Sequence, residues 1–165
     1  LRIRRAGVRI PSGAFMISDT DWMAVALEQA RLADSLGEVP VGAVVVRGDS
    51  PISMAHNRRE SDSNPVAHAE VLAIQAASAY LGSWRLTDTT LYVTLEPCPM
   101  CAGAILLARI PRVVYAVADP KAGAVDSLYC LLRDRRLNHQ TEVTAGVLWK
   151  ESRELLQSFF RSRRE

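Results

Sequence analysis

The sequence predicts an α/β protein in three layers (α/β/α), with a central mixed sheet of about five strands flanked by helices. Short apolar segments rich in β-branched residues, which are typical of buried strands, recur along the chain. They alternate with longer segments whose apolar residues repeat at helical spacing. Strands that alternate with helices in this way predict a sheet that is covered by helices on both faces.

The first predicted helix spans residues 19–36. Its apolar residues recur at the spacing of one helix face. Asp19 or Thr20 can cap its first turn, and Gly37 can end it. This segment is therefore expected to cover one face of the sheet.

A hairpin is predicted to follow this helix. Residues 41–46 form a continuous apolar run with several β-branched valines, as in a buried strand. A turn at residues 48–51 leads to a returning strand over residues 52–55. Residues 57–65 are polar and are predicted to form a loop.

The rest of the chain alternates between strands and helices. Pro97 ends one strand, and Pro99 is tolerated in the next helix because early helical positions have no intrahelical N–H bond to lose. The predicted strands cover residues 91–95 and 113–117, and residues 142–147 are predicted to form a strand or an extended segment. The predicted helices cover residues 67–81, 98–109, 125–132 and 148–163.

The length and composition indicate one folded domain. The chain has 165 residues, of which 48% are hydrophobic and 23% are charged, as is ordinary for a soluble globular protein. No apolar run approaches the length of a membrane span, so no membrane contact is expected. Two of the three cysteines lie in a C-x-x-C motif. The chain therefore carries no disulfide framework, and a cytoplasmic location is expected.

Positive charge is concentrated at the ends of the chain. Residues 1–15 contain four of the 20 basic residues and no acidic residue, which leaves 16 basic and 18 acidic residues in the remainder. RNA binding would therefore require a local patch, such as Arg161, Arg163 and Arg164. Residues 1–15 are expected to be a disordered extension, or a remnant of an expression vector or of an upstream reading frame. A single domain is expected over residues 16–165.

Two motifs together predict a catalytic metal site. Cys98 and Cys101 supply half of a tetrahedral zinc site, and His68 is the most obvious third ligand. Three protein ligands leave a fourth position for water, which is typical of a catalytic rather than a structural zinc. Glu70, two residues after His68, can transfer protons there without being a ligand. This combination of H-x-E and P-C-x-x-C is similar to the signature of zinc-dependent nucleobase deaminases.

Other interpretations of the C-x-x-C motif need different surroundings. A structural zinc site needs a fourth protein ligand, for which Cys130, His56 and His139 are the remaining candidates, and none of them belongs to a second paired motif. Cys130 is instead expected to be a small buried hydrophobic residue. A redox pair does not require the histidine and carboxylate that accompany these cysteines.

The chain from about Asp21 to Arg164 resembles the bacterial tRNA adenosine deaminases of the cytidine-deaminase-like superfamily. The zinc motifs mark only the superfamily, whereas TLEPCPMCAGA, D-P-K-x-G and the FFRSRR ending narrow the resemblance to the tRNA enzymes. The resemblance is carried by EVPVGAVVV (38–46), AHN (55–57), PVAHAE (65–70), LYVTLEPCPMCAGAILLARIPRVVYAVADPKAGA (91–124), LNHQTEVTAGVL (137–148) and FFRSRR (159–164).

This resemblance implies hydrolysis of adenosine to inosine at the wobble position of a tRNA anticodon stem-loop. It implies a homodimer with one zinc ion per subunit, bound by His68, Cys98 and Cys101, and a proton shuttle at Glu70. The implied substrate-binding residues are Asn57 and Ala69 in the pocket, Val39 and Pro40 in its wall, Asp119 and Lys121 near the RNA backbone, and Phe159, Arg161 and Arg163 on the terminal helix.

Two competing functions remain open at this point. A deaminase of a free base or nucleoside, of the guanine or cytidine type, would share the same metal motifs. A non-catalytic RNA-binding module stabilised by zinc is the other alternative. The presence of Glu70 argues against that module, because a structural zinc site needs no non-ligand glutamate.

Overall fold

The computed structural model describes residues 16–164 of the chain. The expectation of a disordered extension or remnant at residues 1–15 therefore lies outside the described residues. The helices are α1 (Asp19–Ser35), α2 (Ala69–Leu81), α3 (Pro99–Leu107) and α4 (Trp149–Ser162). The strands are β1 (Gly42–Arg47), β2 (Ser50–His56), β3 (Thr90–Leu95), β4 (Arg112–Val117) and β5 (Glu142–Ala145).

The strands form one five-stranded sheet in the order β2-β1-β3-β4-β5. Strand β1 is antiparallel to β2 and β3, whereas β4 is parallel to both β3 and β5. The prediction of a mixed sheet of about five strands is confirmed. Because β3 lies between β1 and β4, the turn that follows its carboxyl end is held near the middle of the sheet.

Helices cover both faces of the sheet, as predicted. Alternate side chains of β1 enter opposite layers, since successive residues of a strand face opposite ways. Ala43 and Val45 join the core with α2 and α3, whereas Val44 and Val46 join the core with α1. Helix α4 lies on the α1 side, where Leu148 packs against the same core.

The start of helix α1 differs from the prediction. Ser18 is the N-cap, and it forms a capping box with Asp21 in which each side chain bonds the other residue's backbone N–H. Asp19 instead accepts hydrogen bonds from Tyr92 at 2.8 Å and from Arg112 at 2.7 and 2.8 Å. The expected capping residue is therefore used to fasten α1 to β3 and β4.

The predicted helix over residues 125–132 is wrong. Only a short 3-10 turn, Leu131–Arg133, forms near its end. The backbone N–H groups of Val125, Asp126 and Ser127 all donate to the side chain of Glu96. The buried carboxylate of Glu96, in the turn that follows β3, therefore holds this segment in a non-helical conformation.

Within residues 16–164, no helix is long and apolar enough to cross a membrane.

Candidate metal centre and active site

Two helix N-termini bring the three predicted ligands together. His68 is the residue before α2, and Cys98 is the residue before α3, both in extended backbone conformation. Cys101 lies in the first turn of α3. The Nδ1 atom of His68 is 3.7 Å from the Sγ atom of Cys98 and 3.6 Å from that of Cys101. These residues form a group that could hold a metal ion.

The spacing of these ligand atoms fits a tetrahedral zinc ion. Typical Zn–N and Zn–S bonds of about 2.05 and 2.3 Å would place nitrogen and sulfur ligands about 3.6 Å apart. The two observed separations agree with that value. One histidine nitrogen and two thiolates are also a donor set that zinc favours.

The candidates for a fourth protein ligand lie elsewhere. In the part of the chain that the structure describes, His68, Cys98 and Cys101 form the only cluster of three or more metal-ligating residues. The Nδ1 atom of His56 is 2.8 Å from the carbonyl of Asn57, and the Nε2 atom of His139 is 2.8 Å from that of Ile110. The group therefore offers three protein ligand atoms, which is the number that a catalytic zinc site uses.

Cys130 does not have the environment that was expected for it. The prediction that this cysteine is buried is wrong, because its side chain is exposed on the loop that precedes the 3-10 turn. The loop 119–127 bends around Glu96 and not along a helix, so the chain leaves the core before residue 130. Cys130 is therefore neither a core residue nor a member of the metal-ligating cluster.

The local hydrogen bonds favour a thiolate at Cys98. Hydrogen bonding from Cys101, opposed by partial burial and reinforced by His68, lowers the pKa of the Cys98 thiol to about 4. The positive N-terminal end of α3 acts in the same direction, since Cys98 caps this helix. The site is therefore prepared to bind a cation.

Glu70 has the environment of a proton-transfer group. It lies in the first turn of α2, and its residue is only 4% exposed. Burial raises its pKa to about 7, although His68 and the backbone N–H oppose that shift. A carboxyl group that titrates near neutrality can both accept and donate a proton, as general acid–base catalysis requires.

Asn57 links the end of β2 to the start of α2. Its Oδ1 atom accepts a hydrogen bond from the backbone N–H of Ala69 at 2.9 Å, and this donor fixes the orientation of the amide. Its own backbone N–H donates to the carbonyl of Val41 at 3.1 Å. Asn57 and Ala69 are both buried beside His68 and Glu70. The structure therefore brings these predicted pocket residues to the ligand cluster.

Val39 and Pro40 lie in the segment directly before β1. Pro40 is buried and Val39 is half-buried. The hydrogen bond between Asn57 and Val41 holds this segment beside the end of β2. The predicted pocket wall and the predicted pocket amide are thus neighbours.

Asp119 and Lys121 lie in a turn after β4. The Oδ1 atom of Asp119 accepts hydrogen bonds from the backbone N–H groups of Lys121 and Ala122, at 2.9 and 3.2 Å. The side chain of Asp119 is therefore engaged within its own turn, whereas Lys121 is exposed. Lys121 is the member of this pair whose charge can reach an external phosphate.

The three predicted residues of α4 have different surroundings. Phe159 is buried, and the guanidinium of Arg163 lies over its ring at 4.4 Å. Arg163 also donates a hydrogen bond to the carbonyl of Gly37. Arg161 is exposed. Arg163 is exposed as well, so it differs from Arg161 in its contacts with Phe159 and Gly37 and not in its burial.

Two buried glutamates that sequence reasoning did not assign lie directly beside residues of this site in the chain. Glu38 and Glu96 are each at most 2% exposed, and both accept several hydrogen bonds from neighbouring loops. The signal for both glutamates was their position directly beside motif residues.

Comparisons with known proteins agree with this geometry. The family described as MafB19-like deaminase matches residues 17–164. The tRNA-specific adenosine deaminase of Bacillus subtilis (strain 168) is 49% identical over 150 residues, which cover 91% of this chain and 93% of that protein. These values extend the likeness well beyond the two metal motifs.

Solved structures lead to the same grouping. One from a study of A-to-I editing by tRNA:A34 deaminases at the wobble position of transfer RNA has a TM-score of 0.80 and 43% identity, over 83% of this chain and 99% of that one. A guanine deaminase from Nitrosomonas europaea has a TM-score of 0.77 but 23% identity, over 86% and 84%, and so shares the fold alone. The chain therefore belongs to the MafB19-like deaminases and to the family of tRNA-specific adenosine deaminases.

Proposed function

We propose that this protein hydrolyses adenosine to inosine at the wobble position of a tRNA anticodon. The observation that carries this proposal is the three-ligand cluster beside the buried carboxyl of Glu70, in a chain 49% identical to a tRNA-specific adenosine deaminase. The reaction consumes one water and releases ammonia from C6 of adenine. A single-stranded anticodon loop suits such a site, because the base can turn outward without the loss of a base pair.

His68, Cys98 and Cys101 would hold one zinc ion per subunit. When bound, zinc supplies a water molecule that is acidic enough to act as a nucleophile near neutral pH. The protein contributes two thiolate ligands at the N-terminus of α3 and a histidine at the N-terminus of α2. Both helix ends favour negative charge at this point.

Glu70 is the proton shuttle in this proposal. It takes a proton from the attacking water, gives one to the ring nitrogen N1 of adenine, and later assists protonation of the departing amino group. A pKa of about 7, raised chiefly by burial, suits this exchange at neutral pH. Glu70 is not a member of the ligand cluster, so it is free to move protons.

The base would be bound by residues around that cluster. Asn57 presents its side-chain nitrogen as a donor, because its oxygen is already bonded to the N–H of Ala69. Val39 and Pro40 form an apolar wall before β1. These residues orient adenine so that its C6 atom faces the metal site.

The RNA backbone would follow the exposed basic residues near the pocket. Lys121 and Arg161 are exposed. Asp119 shapes the turn that presents Lys121. Phe159 and Arg163 are proposed to border the RNA surface, at the end of α4. A local patch of this kind fits a chain whose body carries no excess of positive charge.

The protein is proposed to act as a homodimer. Large apolar side chains are exposed near the C-terminal ends of α2 and α3: Tyr80 is 60%, Trp84 is 58% and Leu107 is 71% exposed. A hydrogen bond of 2.8 Å from the N–H of Leu86 to the carbonyl of Ala108 holds these two ends together. Apolar surface of this kind is typical of a site of protein association. Light scattering on the purified protein would measure the mass of the assembly.

Residues 16–165 are proposed to form one deaminase domain that works in the cytoplasm. The family match over residues 17–164 and the single sheet support one domain. Three free cysteines are consistent with a reducing compartment.

The decisive experiment is inosine formation by the purified, zinc-loaded protein. The substrate is an anticodon stem-loop with adenosine at the wobble position, beside free adenosine, cytidine and guanine. Deamination of the stem-loop with little action on the free compounds supports the proposal. Turnover of free guanine or cytidine instead would identify a base or nucleoside deaminase.

Glu70→Ala is the matched control for this experiment. It should reduce turnover by at least about 10²–10⁴-fold, which is the contribution of general acid–base catalysis. Zinc content and stem-loop affinity should be largely retained, because Glu70 is not a ligand. Equal activity in this variant would contradict the role of Glu70. Absence of turnover in the zinc-loaded native chain would instead favour a non-catalytic RNA-binding module.

A further inference from the structure

The carboxylate of Glu96 lies at the centre of a buried hydrogen-bond cluster. Glu96 is 2% exposed and comes two residues before Cys98. Its Oε1 atom accepts from the N–H groups of Val125, Asp126 and Ser127 at 3.1, 2.7 and 2.9 Å. Its Oε2 atom accepts from the N–H of Asp119 at 2.9 Å and from the hydroxyl of Ser127 at 2.5 Å. All five donors come from one segment, residues 119–127.

The segment 119–127 is shaped around this carboxylate. A Cβ atom on Gly123 would lie 2.3 Å from the carboxyl carbon of Glu96, so only glycine leaves enough space there. The N–H of Ala124 donates to the carbonyl of Pro97 at 2.8 Å. That carbonyl belongs to the peptide bond that joins Pro97 to Cys98. The same segment thus contacts both the carboxylate and the backbone of the metal-binding turn.

We propose that Glu96 is a positioning residue that joins the Cys98 metal-binding turn and the Asp119–Lys121 turn into one rigid unit. It acts through the segment 119–127 and is not itself in the ligand cluster. Loss of the carboxylate frees this segment, weakens the bond from Ala124 to Pro97, and allows the Cys98 turn to move. The part that concerns Lys121 depends on the proposed function, whereas the part that concerns the metal does not.

Glu96→Gln isolates the effect because glutamine has nearly the same volume. Both carboxylate oxygens of Glu96 accept hydrogen bonds, and each receives them from at least two donors. A glutamine amide has one oxygen and one NH₂ group, and the NH₂ group cannot accept a hydrogen bond. On the side where it replaces a carboxylate oxygen, its N–H groups would face the N–H donors of the segment 119–127. The buried donors on that side are left without an acceptor. The segment 119–127 is therefore loosened without a cavity.

Glu38→Gln is the matched control. Glu38 is also buried, and it accepts from the N–H groups of Glu60 and Ser61 and from the Ser61 hydroxyl. Its hydrogen bonds hold the loop after β2, and none of them reaches the backbone around Cys98. Both substitutions remove a buried carboxylate from a cluster of backbone donors. They differ in whether that cluster is attached to the metal-binding turn.

The first readout is zinc release from the full-length, zinc-loaded protein to a chromogenic chelator. Glu96→Gln should release zinc about 10–100-fold faster than the native chain, which is the usual effect when a group that supports metal ligands is removed. Glu38→Gln should remain within about twofold of the native rate. Equal release from the two variants would overturn the proposal and leave Glu96 as a contributor to stability alone.

The second readout separates this proposal from the proposed function. In Glu96→Gln, amide hydrogen exchange should accelerate in residues 118–128, and the KM for the stem-loop should increase more than it does for free adenosine. If the native protein does not deaminate the stem-loop, zinc release and exchange still decide the role of Glu96. If Glu96→Gln does not fold, Ser127→Ala removes one of the five donors and should accelerate zinc release about two- to fivefold. An unchanged rate in Ser127→Ala would overturn the proposal.

Discussion

The guanidinium of Arg163 donates a hydrogen bond to the carbonyl of Gly37. It lies over the ring of Phe159 at 4.4 Å, so it joins the end of α4 to the loop between α1 and β1. That loop continues directly into Val39 and Pro40. The terminal helix therefore supports the proposed wall of the base pocket. Arg161 and Arg163 are both exposed, but this support comes from Arg163.

Arg161 and Arg163 should therefore respond differently to substitution. Arg161→Gln should weaken stem-loop binding several-fold and reduce the slope of log K against log salt by about one, as expected for one lost phosphate contact. Arg163→Gln should leave that slope unchanged, while it lowers the unfolding temperature and raises the KM for the stem-loop. Filter-binding titrations at several salt concentrations measure the slopes.

Lysine substitutions provide the control for these two arginines. Arg161→Lys keeps a phosphate-binding charge and should behave like the native chain. Arg163→Lys keeps the charge but loses the planar group that stacks on Phe159. If Arg163→Lys retains the full activity of the native chain, charge and not geometry is the property required at this position.

Asn57 should have a structural role and a substrate role that two substitutions separate. Asn57→Ala leaves the buried N–H of Ala69 without its acceptor, which costs about 1–3 kcal/mol of unfolding free energy. Asn57→Asp keeps an acceptor for Ala69 but removes the donor that we assign to the base. The unfolding temperature should therefore fall mainly in Asn57→Ala, whereas the rate of deamination should fall in both variants. Native turnover in Asn57→Asp would remove Asn57 from the substrate contacts.

The ion pair between Asp19 and Arg112 should make stability depend on pH in the acid range. The hydrogen bond from Arg112 lowers the pKa of Asp19, with burial in opposition and Tyr92 in support. The folded-state pKa is therefore below the unfolded value of about 3.9. The pair adds stability above that value, and the contribution is lost as pH falls through the lower folded-state pKa.

A double-mutant cycle with Asp19→Asn and Arg112→Gln measures this contribution. The cycle cancels the acid titration of other groups. At pH 7 the coupling between the two residues should be up to about 1 kcal/mol, because the pair is partly exposed. Urea unfolding at pH 7 and at several values below 4 should show that this coupling disappears in acid. Coupling that persists unchanged at the lowest pH would contradict the assignment.

Gly42 should be one of the least replaceable residues at the contact between α1 and β1. A Cβ atom there would lie 2.0 Å from the carbonyl oxygen of Ala26 and 2.5 Å from the backbone nitrogen of Ala30. Gly42→Ala should therefore cost about 3 kcal/mol or more, since the two backbones must separate. Gly48→Ala is the control, because its Cβ would meet no atom within 4 Å and the only cost is its positive φ of 59°. Gly48→Ala should therefore lower the free energy of unfolding by only about 1 kcal/mol, as measured by thermal unfolding of both variants.

Local sequence determined much of this protein. Apolar runs and helical spacing predicted the five strands and four main helices, because these patterns depend on residues that are close in the chain. The two half-sites, His68 with Glu70 and Cys98 with Cys101, were also visible, since each lies within one helical turn. Their chemical types and spacings limited the metal and the reaction before any fold was known.

Only the tertiary structure decided which distant groups compete for each residue. Asp19 could cap α1, but Arg112, 93 residues away in the chain, bonds its carboxylate instead. Residues 125–132 have helical spacing, yet Glu96 withdraws their N–H groups from a helix. Arg163 carries the charge of an RNA contact but is held by Gly37. The packing of strands and helices determines which residues far apart in the chain become hydrogen-bond partners. The spacing of residues along the sequence does not specify that packing.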